Sequence, residues 1–174
     1  MRAALICGVS ATALLIAAWF ARVGHPIPFE TQTAATFFLT ACKGSVDDLS
    51  AVARLAERQN WTSMLKADFP ENDPMKLTGM WRVNQNDHSY MVTTGVGPRG
   101  TTACQVMFED PRPRRDDFLA ALSSAMTLRA DLDQGSSSWR TEFYQIEDLA
   151  PKYVTLLFVS DRDGSVYRAA VMGP

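Results

Sequence analysis

An uncharged apolar run of 19 residues, Ala3–Ala21, is the feature that most constrains how this chain folds. As a helix rising about 1.5 Å per residue it would span about 28 Å, close to the hydrocarbon thickness of a bilayer. Arg2 precedes the run, and Arg22 and two prolines follow it. A surface helix of a soluble domain normally keeps a polar face, which this run lacks. We therefore predict a targeting segment with a short linker over residues 1–28 and a single globular domain over residues 29–174.

Two interpretations of the targeting segment remain open. A cleaved signal peptide has an apolar stretch of about 7–15 residues and small residues before the cut. Here the run is longer, and bulky Ile16 or Trp19 lies third before the candidate cuts after Ala18 and Ala21. This favours an uncleaved membrane anchor over a cleaved signal. Either way the domain is expected outside the cytoplasm, tethered through residues 3–21 or released.

The charge of the domain argues against nucleic-acid binding. The whole chain has a formal charge of −2, and residues 29–174 carry 15 basic and 19 acidic residues, a net charge of −4. The basic cluster at residues 112–115 is followed at once by Asp116 and Asp117. Nucleic-acid binding needs a clustered basic face, so we expect no nucleic-acid partner.

Helical periodicity predicts that the domain opens with a helical hairpin. Apolar side chains recur at helical spacing over residues 31–43, and Gly44 is well placed to end that helix. Ser45 is predicted to be the N-cap of a second helix, with Asp48 completing a capping box. This second helix is expected to end near Asn60.

The rest of the domain predicts three strands, a helix and three more strands. The strands are expected at Met80–Asn84, Ser89–Gly95, Thr101–Glu109, Trp139–Ile146, Tyr153–Ser160 and Ser165–Met172. The helix between them starts near Asp116, and its stripe runs through Phe118 toward Arg129, while residues 62–77 and 134–138 are expected to be loops. Because strands and helices do not alternate, we expect an α+β fold with a mainly antiparallel sheet packed on helices.

The cysteine pattern predicts one disulfide. Cys7 lies in the targeting segment, which leaves Cys42 at the end of the first helix and Cys104 in the third strand. In an oxidising compartment two cysteines of one small domain usually pair, and the alternative is two buried thiols that never meet. No set of His and Cys has the spacing of a metal site, so neither a metal nor a cofactor is expected.

Two short motifs match ligand-binding signatures in their letters but not in their context. Gly95–Gly100 reads GxGxxG, yet the next segment has strand composition where a dinucleotide site needs a helix. Asp161–Gly164 is similar to the start of a calcium loop, but Ala170 occupies the position of the required glutamate. We interpret both motifs as turns between strands.

His88 is the only histidine of the domain, and the other histidine of the chain, His25, lies in the linker. With a serine from Ser89 or Ser136–Ser138 it would form a hydrolase-like pair of base and nucleophile. Neighbours in a strand point to opposite faces, so adjacency to Ser89 does not make such a pair. We interpret His88 as a solvated turn histidine and assign no catalytic residue.

Two further features of the sequence receive structural interpretations. Asn60–Thr62 is an acceptor sequon for N-glycosylation, a tripeptide that often arises by chance. The aromatic residues Trp61, Trp81, Phe143 and Tyr144 could line a pocket, but aromatics in strands and at helix ends usually belong to the core.

One set of residues supports a resemblance, and it comprises Phe38–Cys42, Leu55–Ala56, Trp61, Trp81 and Cys104. In these residues the chain resembles small exported proteobacterial proteins of no established function. The resemblance implies export and a paired-cysteine domain, and it carries over no catalytic residue. With it we expect the domain in the bacterial cell envelope, anchored on the periplasmic side of the inner membrane through residues 3–21 or released into the periplasm.

The sequence alone does not specify a ligand. We expect a binding or accessory module of the envelope, in contact with the membrane through residues 3–21 if that segment is uncleaved. Another envelope protein is a second candidate partner. The alternative function is a hydrolase-like enzyme that uses His88 with a nearby serine.

Overall fold

The structure, a computed structural model, describes residues 29–45, 47–64, 76–85, 87–135, 139–147, 152–159 and 164–174. Within these ranges the chain forms three α-helices and eight β-strands, which confirms the α+β class. The elements in chain order are α1 (Phe29–Cys42), α2 (Ser50–Arg58), β1 (Thr62–Ser63), β2 (Lys76–Gln85), β3 (His88–Val96), β4 (Thr102–Asp110), α3 (Arg115–Ser123), β5 (Leu128–Gly135), β6 (Trp139–Ile146), β7 (Tyr153–Val159) and β8 (Arg168–Gly173). None of these helices is both long and apolar enough to cross a membrane, and the apolar run at residues 3–21 lies outside the described ranges.

The eight strands form one antiparallel sheet built from two meanders. The strand order is β1-β2-β3-β4-β8-β7-β6-β5, and every neighbouring pair is antiparallel. The first meander is β1–β4 and the second is β5–β8, and the last strand of each pairs with the other, so that Cys104 lies opposite Val171. The last strand of each meander therefore lies at the centre of the sheet, and the short β1 and the polar β5 form its edges.

Each meander contains a strand that the sequence prediction missed. We predicted a loop over residues 62–77, but Thr62 and Ser63 pair with β2. We also predicted that the third helix would continue toward Arg129, but it ends at Ser123 and β5 follows. Most side chains of β5 are exposed, so its sequence lacks the apolar alternation that identifies a half-buried strand. The predicted order of three strands, a helix and three strands is therefore wrong by one strand on each side of α3.

The buried face of the sheet follows the two-residue period of its strands. In β6 the buried side chains are Glu142, Tyr144 and Ile146, and in β3 His88, Tyr90 and Val92 alternate with partly buried ones over the first five residues. This face packs against α1 and α3 through a chain of aromatic contacts. Phe118 of α3 lies 6.0 Å from Phe38 of α1 and 5.4 Å from Phe108 of β4, measured between ring centroids.

The predicted disulfide is present and joins α1 to the centre of the sheet. Cys42 ends α1, Cys104 lies in β4, and their Cα atoms are 5.3 Å apart. Both side chains are fully buried. The bond therefore closes a segment that runs from the end of α1 through α2 and β1–β3 into β4.

The predicted N-cap of the second helix is wrong. The buried Ser45 donates its hydroxyl hydrogen to the carbonyl oxygen of Cys42 at 2.8 Å, so it serves the end of α1. Helix α2 begins later, at Ser50, whose backbone N–H donates to Asp48 Oδ1 at 3.1 Å. An exposed carboxylate satisfies a free N–H of the first turn in the same way as a serine cap would.

The GxGxxG match is a connection between strands, as we predicted. Pro98–Gly100 forms a short 3₁₀ turn between β3 and β4, in which Arg99 and Gly100 have φ angles of 65° and 83°. The predicted hairpin between the last two strands is also formed, because β7 pairs with β8. Residues 161–163 of its turn lie outside the described ranges, while Gly164 has a φ angle of 64°.

Candidate binding cleft

A cleft with a volume of about 430 Å³ lies beside α1, where the turn after α2 meets the β2–β3 hairpin. Its size falls within the range of about 300–1,000 Å³ that small-molecule sites occupy. Among the described residues that line it, none carries a charge at neutral pH. They are Gln32, Thr33, Thr36, Phe37, Thr40, Ala41, Gln59, Trp61, Gln85 and Tyr90.

Stacked aromatic rings form the inner wall of the cleft. The rings of Phe37 and Tyr90 are nearly parallel, with centroids 4.2 Å apart, and Trp61 is tilted against Phe37 at 5.6 Å. The His88 ring lies parallel to the Tyr90 ring at 5.8 Å. Phe37 and Tyr90 are buried, whereas Trp61 is half-buried at the turn after α2. Trp61 is thus the aromatic side chain of this wall that a ligand can reach most easily.

Uncharged polar side chains form the outer part of the cleft. Gln32, Thr36 and Thr40 recur every four residues and are exposed on one side of α1, because residues at this spacing share a helix face. The Thr40 hydroxyl donates to the Thr36 carbonyl oxygen at 2.8 Å. Gln59 accepts a hydrogen bond from the Trp61 indole N–H at 3.2 Å, which leaves the amide NH₂ of Gln59 available to another acceptor.

Two buried polar groups belong to the stacked rings, and of these two residues only Tyr90 is among the described residues that line the cleft. Tyr90 is 1% exposed and His88 is 6% exposed. Within the described part of the chain, neither the Tyr90 hydroxyl nor His88 Nδ1 has a hydrogen-bond partner. Burial raises the pKa of Tyr90 to about 12, so its hydroxyl keeps its proton at physiological pH. An unsatisfied buried hydroxyl costs about 1–3 kcal/mol, so Tyr90 is a costly residue in the wall of the cleft.

A second, more polar recess of about 500 Å³ adjoins the cleft and shares Gln59, Trp61 and Gln85 with it. It is also lined by Arg58 and Arg82. The sequon Asn60–Thr62 lies in its wall, where Asn60 takes a φ angle of 54° in the turn after α2. The sequon residues therefore shape a recess next to the cleft.

The structure does not bring the candidate hydrolase residues His88 and Ser89 together. Their side chains leave β3 on opposite faces, and Ser89 Oγ lies 2.6 Å from Glu109 Oε2 and 3.1 Å from Asn84 Oδ1. His88 stacks on Tyr90 instead. Our interpretation of His88 as a solvated turn residue is wrong, because it is buried. The other candidate, Ser136–Ser138, lies outside the described residues.

Only one of the four aromatic residues that we considered at the sequence level lines the cleft. Trp61 lines it, while Trp81 and Tyr144 are buried in the core as we predicted. Phe143 lies on the other face of the sheet, in an apolar depression of about 370 Å³ with Leu132. The sequence analysis missed the polar side of the cleft. An available signal was the exposed side of α1, which has no charge from Gln32 to Thr40, although exposed helix faces usually carry charges.

The second meander contains a buried ionic cluster centred on Glu142, which is 4% exposed. Both carboxylate oxygens accept from Arg115 Nε, at 2.8 and 2.9 Å, and Arg140 Nη2 lies 2.8 Å from Oε1. The Tyr144 hydroxyl donates to Oε2. Burial, followed by the bond to Glu142, raises the pKa of Tyr144 to about 12, and the bond to Glu142 raises the pKa of Arg115. This cluster satisfies its own polar groups and ties β6 to the start of α3.

Within the described ranges, no group of three or more His, Cys, Asp and Glu side chains is arranged to hold a metal ion. Comparisons of the chain with protein-family models, curated proteins and solved structures found no match. The geometry of this molecule is therefore the basis for its functional interpretation.

Proposed function

We propose that this protein is a ligand-binding module of the bacterial cell envelope and that the cleft beside α1 is its binding site. The observation that carries the proposal is the cleft itself, which is lined by amides, hydroxyls and aromatic rings and whose wall contains Tyr90. The hydroxyl of this tyrosine is buried and has no partner among the described residues. Buried polar groups nearly always have partners, and an exception points to a function or a missing ligand. The lining side chains form hydrogen bonds but do not ionise near neutral pH, which favours binding over acid–base chemistry.

A substitution that obstructs the cleft tests this proposal directly. Thr36 is exposed on α1 and lines the cleft, so Thr36→Arg would fill it with a long charged side chain without altering the core. Ala120→Arg places the same side chain on α3, where Ala120 is exposed. Native mass spectrometry of the full-length protein from its host envelope should detect a bound small molecule in the wild type and Ala120→Arg, but not in Thr36→Arg. Equal occupancy in the wild type and both variants, or no bound species in any of them, would contradict the proposal.

The envelope location follows from the apolar run at residues 3–21, which predicts either an anchor or a signal. A buried disulfide is the form expected of a small domain that matures in an oxidising compartment. The intact mass of the protein from the host envelope, after alkylation of free thiols, tests the location. A full-length chain with one alkylated thiol supports the anchor, and a shortened chain with none supports cleavage. A full-length chain with three alkylated thiols would place the domain in a reducing compartment.

A second candidate function is hydrolysis with His88 as the base, and the observation that favours it is that His88 Nδ1 has no partner within the described part of the chain. His88→Ala separates the two functions. A binding module should retain its ligand in the experiment above, whereas an enzyme should lose turnover of ester, peptide or glycoside substrates.

A further inference from the structure

We propose that the ligand of the cleft is a neutral oligosaccharide, which stacks on Trp61 and is held by the glutamine side chains at the rim. This inference rests on the proposed function and specifies the chemistry of its ligand. Three observations lead to it, namely the absence of charge from the described lining, the pairing of donors and acceptors in that lining, and the arrangement of the aromatic rings.

The first observation is electrostatic. The described lining consists of three glutamines, three threonines, three aromatic residues and one alanine. A charged ligand that entered this cleft would lose hydration without gaining an opposite charge, which is strongly unfavourable. The arginines Arg58 and Arg82 lie in the neighbouring recess, and Arg82 is already within 3.5 Å of Glu109. The cleft itself therefore selects for an uncharged ligand.

The second observation concerns hydrogen bonding. A glutamine amide offers two donors and one acceptor oxygen, and a threonine hydroxyl offers one donor and two lone pairs. A sugar hydroxyl likewise both donates and accepts, so neighbouring sugar hydroxyls match such side chains in pairs. Gln32 on α1, Gln59 after α2 and Gln85 at the end of β2 reach the cleft from three different elements. A polyhydroxylated ligand could bond to all three elements at once.

The third observation excludes a planar ligand held between rings. Phe37 and Tyr90 stack on each other at 4.2 Å, so no slot is open between them for a nucleobase. Trp61 is tilted by 41° from Phe37, so these two rings do not form parallel walls either. A single half-buried indole beside hydrogen-bonding groups suits a ligand with one apolar face and a polar edge, which is the character of a sugar ring.

Isothermal titration of the full-length protein with defined probes tests the inference. The probes are maltotriose, cellotriose and tri-N-acetylchitotriose as neutral oligosaccharides, with adenosine and tetraproline as alternatives. We expect at least one trisaccharide to bind with a dissociation constant of about 1 mM or lower. Thr36→Arg should abolish this binding, and Ala120→Arg should leave it unchanged.

Gln85→Leu should weaken the binding at least about tenfold, because an exposed amide is lost while a side chain of similar size remains. Trp61→Ala should abolish it, whereas Trp61→Phe should retain part of it. If both Trp61 variants bind the trisaccharide as tightly as the wild type, the sugar does not stack on Trp61.

The outcomes separate this inference from the proposed function. Binding of adenosine or tetraproline, sensitive to Thr36→Arg and without any trisaccharide binding, would overturn the saccharide inference and retain the cleft as a binding site. A species seen by native mass spectrometry that contains no monosaccharide after acid hydrolysis would do the same. Trisaccharide binding that is insensitive to Thr36→Arg would overturn the inference and weaken the cleft proposal with it.

Discussion

The two meanders of the sheet bury a tyrosine each, and the two tyrosines have opposite surroundings. Tyr90 of β3 is 1% exposed and Tyr144 of β6 is 8% exposed, and burial raises the pKa of each to about 12. The Tyr144 hydroxyl donates to Glu142 and accepts from Arg115 at 3.1 Å. The Tyr90 hydroxyl has no partner among the described residues. Burial and pKa alone therefore do not separate these two tyrosines, because only their hydrogen-bond partners differ.

The two meanders also differ in the interactions that stabilise them. The first is fastened by a covalent bond from α1 to β4 and by stacked rings, and in it the Tyr90 hydroxyl and His88 Nδ1 have no partner among the described residues. The second is fastened to α3 by ion pairs that satisfy both carboxylate oxygens of Glu142. A buried carboxylate needs such partners, because an unpaired buried charge is strongly unfavourable.

Removal of the disulfide, which fastens the first meander, should change the stability of the protein most. Cys42 and Cys104 are 62 residues apart, so the bond is expected to stabilise the fold by about 4 kcal/mol through loop entropy. We expect Cys42→Ala with Cys104→Ala to lower the free energy of unfolding by about that amount in urea titrations. Cys7→Ser serves as the background for both proteins, since it prevents exchange with a third thiol. A loss below about 1 kcal/mol would mean that packing alone holds the first meander.

Glu142→Gln, in the second meander, should cause the next largest loss of stability. It removes the buried carboxylate that Arg115 and Arg140 share, and a hydrogen bond to a charged group contributes about 2 kcal/mol. Glu109→Gln is the matched control, because Glu109 is partly exposed and its contact with Arg82 is 3.5 Å long. The control should cost less than about 1 kcal/mol by the same urea titration. Similar losses in the two variants would show that the Glu142 cluster is not a structural centre.

Raising the pH should weaken the fold through both tyrosines. The folded-state pKa of Tyr90 is about 12, above the ordinary value of about 10, so the folded chain keeps a proton that the unfolded chain releases. Stability is therefore complete below pH 10 and falls as the pH rises toward 12, by up to about 2 kcal/mol for one group. In the Cys7→Ser background, Tyr90→Phe should show a smaller loss between pH 10 and 11.5 than the parent. An identical loss would mean that Tyr90 titrates normally.

Replacing each tyrosine by phenylalanine should change the stability least, and the two changes should have opposite signs. Tyr90→Phe removes a hydroxyl without a described partner and should stabilise the unliganded protein by about 1 kcal/mol. Tyr144→Phe removes a donor to Glu142 and should destabilise the protein by about 1 kcal/mol. Thermal unfolding at pH 7 measures both variants. Destabilisation of both would indicate that the Tyr90 hydroxyl has a partner in the unliganded protein.

Local patterns predicted much of the architecture correctly. Helix α1, the central parts of six strands and the turn at Gly97–Gly100 were all predicted, because each depends on residues that are close in sequence. The missed strand β5 shows the limit of such patterns. Its side chains are largely exposed, so its identity comes from hydrogen bonds to β6, with Leu128 opposite Ile146.

The candidate cleft was much less predictable than the fold. Trp61 was recognised as an aromatic residue that could line a pocket, but its partners Tyr90 and Gln85 come from a hairpin that the sequence separates from it. Gln32 and Thr36 looked like ordinary exposed helix residues. No spacing rule connects a polar helix face with the end of a distant hairpin, because their proximity depends on how α1 packs on the sheet.

By itself the sequence determined the α+β class, the antiparallel character of the sheet and the cysteine pair. These depend on periodicity, on the absence of βαβ alternation, and on the count of cysteines that remains after the apolar run. Only the tertiary structure decided that β4 pairs with β8, that Glu142 is buried between two arginines, and that Tyr90 lacks a described partner beside an uncharged cleft. The physical reason is that helix and strand formation are local, whereas pairing between meanders and the satisfaction of buried polar groups depend on contacts between residues far apart in the chain.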